Sequence, residues 1–364
     1  MESSLNPEMV ILAREFRGIT QGDLARKIGI SQAKVARIEG GILTDVSHEI
    51  LTSIANALEF PEPFFTQNED RIGFGSSAYF YRKKADVSAA DRKRIQGVVN
   101  LLRLSVKKFI GFVEIGVKKP LPFYEPDYEY GHDPKKVAQA LRGVWKLPDG
   151  PIANLTTLIE SAGVIIIACD FGTRSMDATS LRLTESPPLI FINNDIPGDR
   201  WRWTLAHELA HLVMHDIPHE KMEDEADAFA SEFLMPELEI KPQFSRHKQL
   251  RLLDFANMKL YWKVSMGALI QRARALGFLN ENQHRYLWMT MSKLDYRLRE
   301  PNPIDKEEPK TYRKILDYFT NQLGYATADL VKLLYLNPRE LESLVGVSSA
   351  GAWIERPRAL KVVR

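Results

Sequence analysis

The chain has 364 residues, 45% of them hydrophobic and 26% charged, and a single cysteine, Cys169. This is the composition of an ordinary globular protein; it excludes a disordered or collagen-like chain, a disulfide scaffold and a cysteine-built zinc site. Lys/Arg and Asp/Glu nearly cancel at +2, but the charge is unevenly laid out: residues 1–70 carry 6 basic and 11 acidic side chains, residues 71–120 carry 12 and 3, and residues 121–364 carry 31 and 33. The basic middle segment therefore attracts phosphate, solvates a helix face or meets the acidic first segment. The N-terminal MESSLNPEMV has no basic region followed by an apolar run, and the longest apolar stretch, residues 163–169, is far below the roughly 20 residues of a membrane span. A cytoplasmic protein without a membrane partner is expected.

Residues 7–60 read as short helices. Thr20 caps a helix over Gln21–Ile28, and Gly29 ends it with a residue that accepts positive φ. Ser31 caps a second helix over Gln32–Glu39, stopped by Gly40-Gly41, and a third follows over about Ser47–Leu58. Two short helices about a glycine turn make a helix-turn-helix pattern. The basic segment contains Tyr79-Phe80-Tyr81-Arg82-Lys83-Lys84 and then an amphipathic helix over about 89–112. Helices are predicted over 134–147 and 154–161. Strands are predicted over Val164–Cys169 and Leu189–Ile192, the latter either an interior strand or a strand that pairs with an extended peptide. A long helix over Trp201–His215 is broken at Asp216-Ile217-Pro218, another spans about Lys221–Leu234, and everything after Pro242 is helical in pattern.

The most specific motif is His207-Glu208-Leu209-Ala210-His211. Residues i and i+4 share a helix face, so His207 and His211 can grip one ion, and Glu208 can reach a water beside it without ligating. Two imidazoles and a carboxylate with an open position suit catalytic Zn2+. The helix is apolar, and a buried His/Glu set needs partners or a metal. The third ligand is sought in Glu223-Asp224-Glu225-Ala226-Asp227. If the two helices pair antiparallel about Pro218, Glu225 is level with His211, whereas Glu223 falls nearer the turn. Glu225 is therefore the expected ligand. Asp227 is a candidate to orient a ligating imidazole, His215 is a structural or orienting histidine, and His219 lies exposed in the turn.

These residues resemble the ImmA/IrrE family of zinc metallopeptidases. The resemblance rests on Phe191-Ile192-Asn193-Asn194, on residues 197–215 around the HExxH, on Glu225-Ala226-Asp227-Ala228-Phe229-Ala230 with Phe233-Leu234-Met235-Pro236, and on Trp145-Lys146-Leu147-Pro148 and Trp262-Lys263-Val264-Ser265-Met266. It implies Glu225 as the third zinc ligand and Glu208 as the catalytic base. Residues 10–60 are similar to an XRE-type (Cro/repressor-like) helix-turn-helix through Thr20-Gln21, Leu24-Ala25, Gly29-Ile30-Ser31-Gln32, Val35, Ile38-Glu39 and Gly41. That resemblance implies that Gln21, Ser31 and Lys34 lie near phosphate and that Gln32, Ala33 and Arg37 face base edges.

The expected fold is mainly α with a small β-sheet. It comprises an N-terminal all-α helix-turn-helix domain (1–70), a basic helical connector (71–133), an α+β zincin-like peptidase core (134–240) and a helical C-terminal region (241–364). The family resemblance implies a zinc-dependent endopeptidase that cleaves a helix-turn-helix repressor or related regulator, relieving repression in a stress response or mobile element. Paired DNA half-sites would make it a homodimer. Two other functions fit the same sequence: a transcriptional regulator whose peptidase-like domain senses metal or ligand without proteolysis, and an antitoxin-like regulator that binds a partner protein.

Overall fold

The computed structural model describes residues 4–73, 88–124, 133–183 and 186–346. The Tyr79–Lys84 tract lies outside the described residues. Four helices open the chain: α1 (Pro7–Phe16), α2 (Gln21–Ile28), α3 (Gln32–Glu39) and α4 (His48–Leu58). Their ends follow local chemistry. Thr20 and Asp23 close a reciprocal capping box on α2, Gly29 at φ 72° terminates it, and the Ser31 side chain accepts from the Lys34 N–H to start α3. Buried Leu24, Ala25, Val35 and Ile38 then face α1 and α4.

The long α5 (Ala89–Ile110), capped by Ser88, crosses α1. Gly97 permits that crossing, because a Cβ there would stand 2.8 Å from Phe16 Cα. After α6 (Pro134–Val144) and α7 (Leu155–Ser161) comes a three-stranded sheet in the order β1-β3-β2, built from β1 (Ile165–Cys169), β2 (Ala178–Leu183) and β3 (Ser186–Asn193). β3 is parallel to β1, with Ile167 opposite Phe191, and antiparallel to β2, with Ser180 opposite Ile190. The 189–192 segment is thus the interior strand, hydrogen-bonded on both sides, and offers no edge to a peptide.

Alternation along the strands sends side chains into two cores. Ile166, Ala178, Ile190 and Ile192 join a core made with α6, α7 and the helices that follow: α8 (Gly198–Met214), α9 (Met222–Leu234), α10 (Glu237–Ser245), α11 (Leu252–Trp262), α12 (Met266–Ala275) and α13 (Glu281–Lys293). Ile165, Ile167, Cys169, Leu181, Leu189 and Phe191 join a second core with the helix-turn-helix helices, α5, α14 (Thr311–Asp317) and α15 (Thr327–Leu334). Cys169 is buried there. The sheet is one wall shared by both halves of the protein.

The region after Pro242 departs from the all-helical expectation. Pro242 itself lies inside α10, and residues 299–310 form no helix. Pro301, Pro303 and Pro309 remove N–H donors from that stretch. It runs as a strap over the start of α8, held by the Glu307–Arg202 ion pair, by Glu307 accepting from Thr156 N–H at 2.7 Å, and by Glu160 accepting from the Lys310 and Thr311 N–H groups. Gly198 gives the strap room, since a Cβ would collide with the Ile304 carbonyl.

Candidate metal centre

α8 carries the HExxH. It is anchored at its first turn, where Asp199 pairs with buried Lys259 at 2.5 Å, and Arg202, wholly buried, pairs with Glu307 and donates to the Ile152 carbonyl at 2.7 Å. Trp201, also fully buried, donates its Nε1–H to Thr156 Oγ1 at 3.0 Å. A helix fixed in this way holds its later side chains in defined positions.

Two turns on, His207 Nε2 and His211 Nε2 converge to 3.1 Å. Glu223, in the first turn of α9, closes a triangle with them. Its Oε2 lies 3.2 Å from His207 Nε2, and its Oε1 lies 3.4 Å from His211 Nε2. A tetrahedral zinc with ligands at about 2.0–2.1 Å has donor–donor edges of about 3.3 Å, so the donor set fits the ion in both spacing and chemistry. Asp227 Oδ1 stands 2.9 Å from His207 Nδ1, the nitrogen turned away from the convergence point, where a carboxylate orients a ligating imidazole. Glu208 is 3% exposed, and its Oε2 has no hydrogen-bond partner in the structure. A buried, unsatisfied carboxylate oxygen beside a metal-ligand set is placed to accept a proton from water.

The local electrostatics agree. Burial disfavours a charged imidazole at His207, but hydrogen bonds to Asp227 and Glu223 outweigh it and raise the pKa to about 10. Burial likewise pushes the Glu223 carboxyl up, but hydrogen bonds from His207 and His211 hold it well below the usual carboxylate range. The carboxylates around the two imidazoles thus favour positive charge at this place.

Glu225, the expected third ligand, is not brought to the His207/His211 pair. It turns instead to His215 and His219, with Oε2 at 3.1 Å from His215 Nε2 and 3.5 Å from His219 Nε2. The reason is azimuth rather than height. At 3.6 residues per turn, Glu223 and Asp227 lie about 40° apart around α9, while Glu225 falls about 160–200° from both. Counting residues from the turn places Glu225 level with His211 but on the wrong face. The i, i+4 spacing of Glu223 and Asp227 puts both on the face turned to His207 and His211. His215 is buried, as expected of a structural histidine, with Nδ1 at 2.8 Å from His211 Nδ1. Burial and the neighbouring imidazoles push its pKa down to about 3. His219 is exposed in the turn.

At the other end of the molecule, Ser31, Gln32, Ala33 and Arg37 are exposed on α3, and Lys34 is half-buried. Gln21 is committed inward: its Nε2 donates to Glu39 Oε2 at 2.8 Å, and Glu39 is held by Arg14. Part of the basic segment after residue 70 meets the acidic first segment. Arg71 pairs with Glu8 and Glu15, Lys93 lies 3.7 Å from Glu15, and Lys107 pairs with Glu69 at 2.8 Å. Arg26, Lys27 and Arg37 stay exposed on the helix-turn-helix itself.

No described helix is long and apolar enough to cross a membrane. Comparison with curated proteins gives no match. Among protein families, residues 12–63 match a helix-turn-helix domain, and residues 159–274, which carry the whole His207/His211/Glu223 cluster, match Peptidase_M78, the IrrE N-terminal-like domain. The chain is a helix-turn-helix, DNA-binding regulator fused to an ImmA/IrrE-like, IrrE N-terminal-type domain.

Proposed function

We propose that the IrrE N-terminal-like domain is a zinc-dependent endopeptidase, with His207, His211 and Glu223 holding the ion and Glu208 acting as general base. The observation that carries this reading is the convergence of the two Nε2 atoms and the Glu223 carboxylate beside a buried carboxylate oxygen with no partner. A bound zinc ion supplies Lewis acidity, which lowers the pKa of water and polarises a peptide carbonyl. Glu208 takes the proton of the attacking water and returns it to the departing amine. Asp227 fixes the His207 ring, and His215 does the same for His211 through their facing Nδ1 atoms.

The sheet edge beside this helix is β2, not β3, with residues 178–181 buried and Arg182 exposed near its end. β2 is a sheet edge packed on α8, and Arg182 from it donates to the Leu212 carbonyl at 2.6 Å. An extended peptide adding to β2 would run past the centre. The family resemblance points to a helix-turn-helix repressor or related regulator as substrate, with the N-terminal module bringing the enzyme to DNA and pairing as a homodimer on two half-sites.

The test is cleavage of candidate regulators by the zinc-loaded protein and by Glu208→Gln. Loss of cleavage with zinc retained is expected. Undiminished cleavage by Glu208→Gln would refute the assignment. A sensor without proteolysis draws support from the core shared by the DNA-binding helices and the sheet. It predicts no cleavage by either protein and DNA binding that changes with zinc.

A further inference from the structure

We infer that His215, His219 and Glu225 form a second divalent transition-metal site, distinct from the His207/His211/Glu223 set. Their donor atoms lie within 4.8 Å of one another. Both Nε2 atoms converge on one oxygen, Glu225 Oε2, at 3.1 Å from His215 and 3.5 Å from His219. These separations bracket the edge of about 3.3 Å expected for tetrahedral nitrogen and oxygen ligands on zinc. A hydrogen-bonded orienting pair needs only His215 and Glu225, and His219, arriving from the turn, completes a three-donor set.

The three ligands come from three pieces of backbone: the residue that ends α8, the turn, and α9. An ion there would staple the hairpin that also carries the first site. α9 begins without a side-chain cap, at Lys221. His215 is buried and fixed, whereas His219 is on the open side, which gives an ion a path from solvent. Two imidazoles and one carboxylate select zinc, nickel or cobalt over magnesium or calcium.

The sites touch through His211 Nδ1 and His215 Nδ1 at 2.8 Å. At that distance there is room for one hydrogen between the two nitrogens. Imidazoles that both bind metal through Nε2 would each place a hydrogen there, so the second ion binds more weakly than the first.

The experiment is equilibrium dialysis of the full chain against buffered free Zn2+, with metal content measured per chain. The wild type is expected to take up two ions in two steps. His219→Ala, a change at an exposed turn residue, should keep the tight ion and lose the weak one. Glu223→Gln should weaken the tight step by about 100-fold and leave the His219-dependent one in place. The inference is overturned if the wild type and His219→Ala take up the same amount at every zinc concentration. This holds whether or not the protein cleaves anything, so the outcome is independent of the proposed peptidase activity.

Discussion

Glu223→Gln and Glu225→Gln differ by two positions in sequence and should differ widely in effect. Glu223 faces both Nε2 atoms of the HExxH histidines, at 3.2 and 3.4 Å, whereas Glu225 reaches His211 only through His215. Zinc sites formed by four ligands bind with about 10–16 kcal/mol, so one ligand accounts for about 3–4 kcal/mol. At about 1.4 kcal/mol per factor of ten that is a loss of about 100- to 1000-fold. The glutamine keeps an oxygen donor, which places Glu223→Gln toward the lower end. Direct partners of ligands contribute about 10- to 100-fold, so Glu225→Gln, one step further removed, should weaken the tight site by no more than about tenfold. Competition against a chromophoric chelator measures both affinities, with circular dichroism confirming the fold. If Glu225→Gln releases the tight ion and Glu223→Gln retains it, the azimuthal argument for Glu223 is wrong.

Three further outcomes follow from contacts away from the metal. Gly97→Val forces α5 from α1, because the new Cβ would lie 2.8 Å from Phe16 Cα, and should cost about 1–3 kcal/mol in thermal or denaturant unfolding; an unchanged melting temperature would contradict the close crossing. Glu307→Ala leaves the buried Arg202 guanidinium without its carboxylate and should destabilise by about 3–5 kcal/mol, with strap residues 301–310 becoming sensitive to protease before the rest of the chain. On DNA, Lys34→Ala should reduce the slope of log affinity against log salt by about one, whereas Lys107→Ala, already paired with Glu69, should leave it unchanged; an equal drop for both would show that the basic connector meets phosphate after all.

Much of the fold was legible because short-range chemistry decides it. Thr20, Gly29 and Ser31 mark the ends of α2 and α3 to the residue, since caps and positive φ are local requirements. The HExxH marked its own helix and two converging histidines. What escaped depends on distant partners. β2 reads Ala-Thr-Ser-Leu-Arg-Leu, and its buried Thr179 and Ser180 mask a strand pattern whose stability comes from pairing with β3. The 299–310 strap has no periodicity because side chains more than a hundred residues away hold it. Glu223 was passed over because height along a hairpin can be counted in residues, whereas the facing side depends on rotation. The charge of the connector was visible, but its acidic partners became identifiable only once Glu8, Glu15 and Glu69 were placed beside it.

The sheet wall common to both cores has a geometric consequence for encounters on DNA. With the helix-turn-helix helices, α5 and one face of the sheet in a single buried cluster, the His207/His211/Glu223 centre in the other core would have a set bearing relative to any duplex bound through α3. A loosely tethered enzyme would sweep a volume around its anchor, largely indifferent to where its target sits. A peptidase fixed to its reader in this way, as proposed above, would meet a neighbouring DNA-bound regulator only when that regulator is presented on the same side of the double helix. Cleavage of such a target would therefore rise and fall with operator spacing, with a period of about 10 base pairs, the helical repeat.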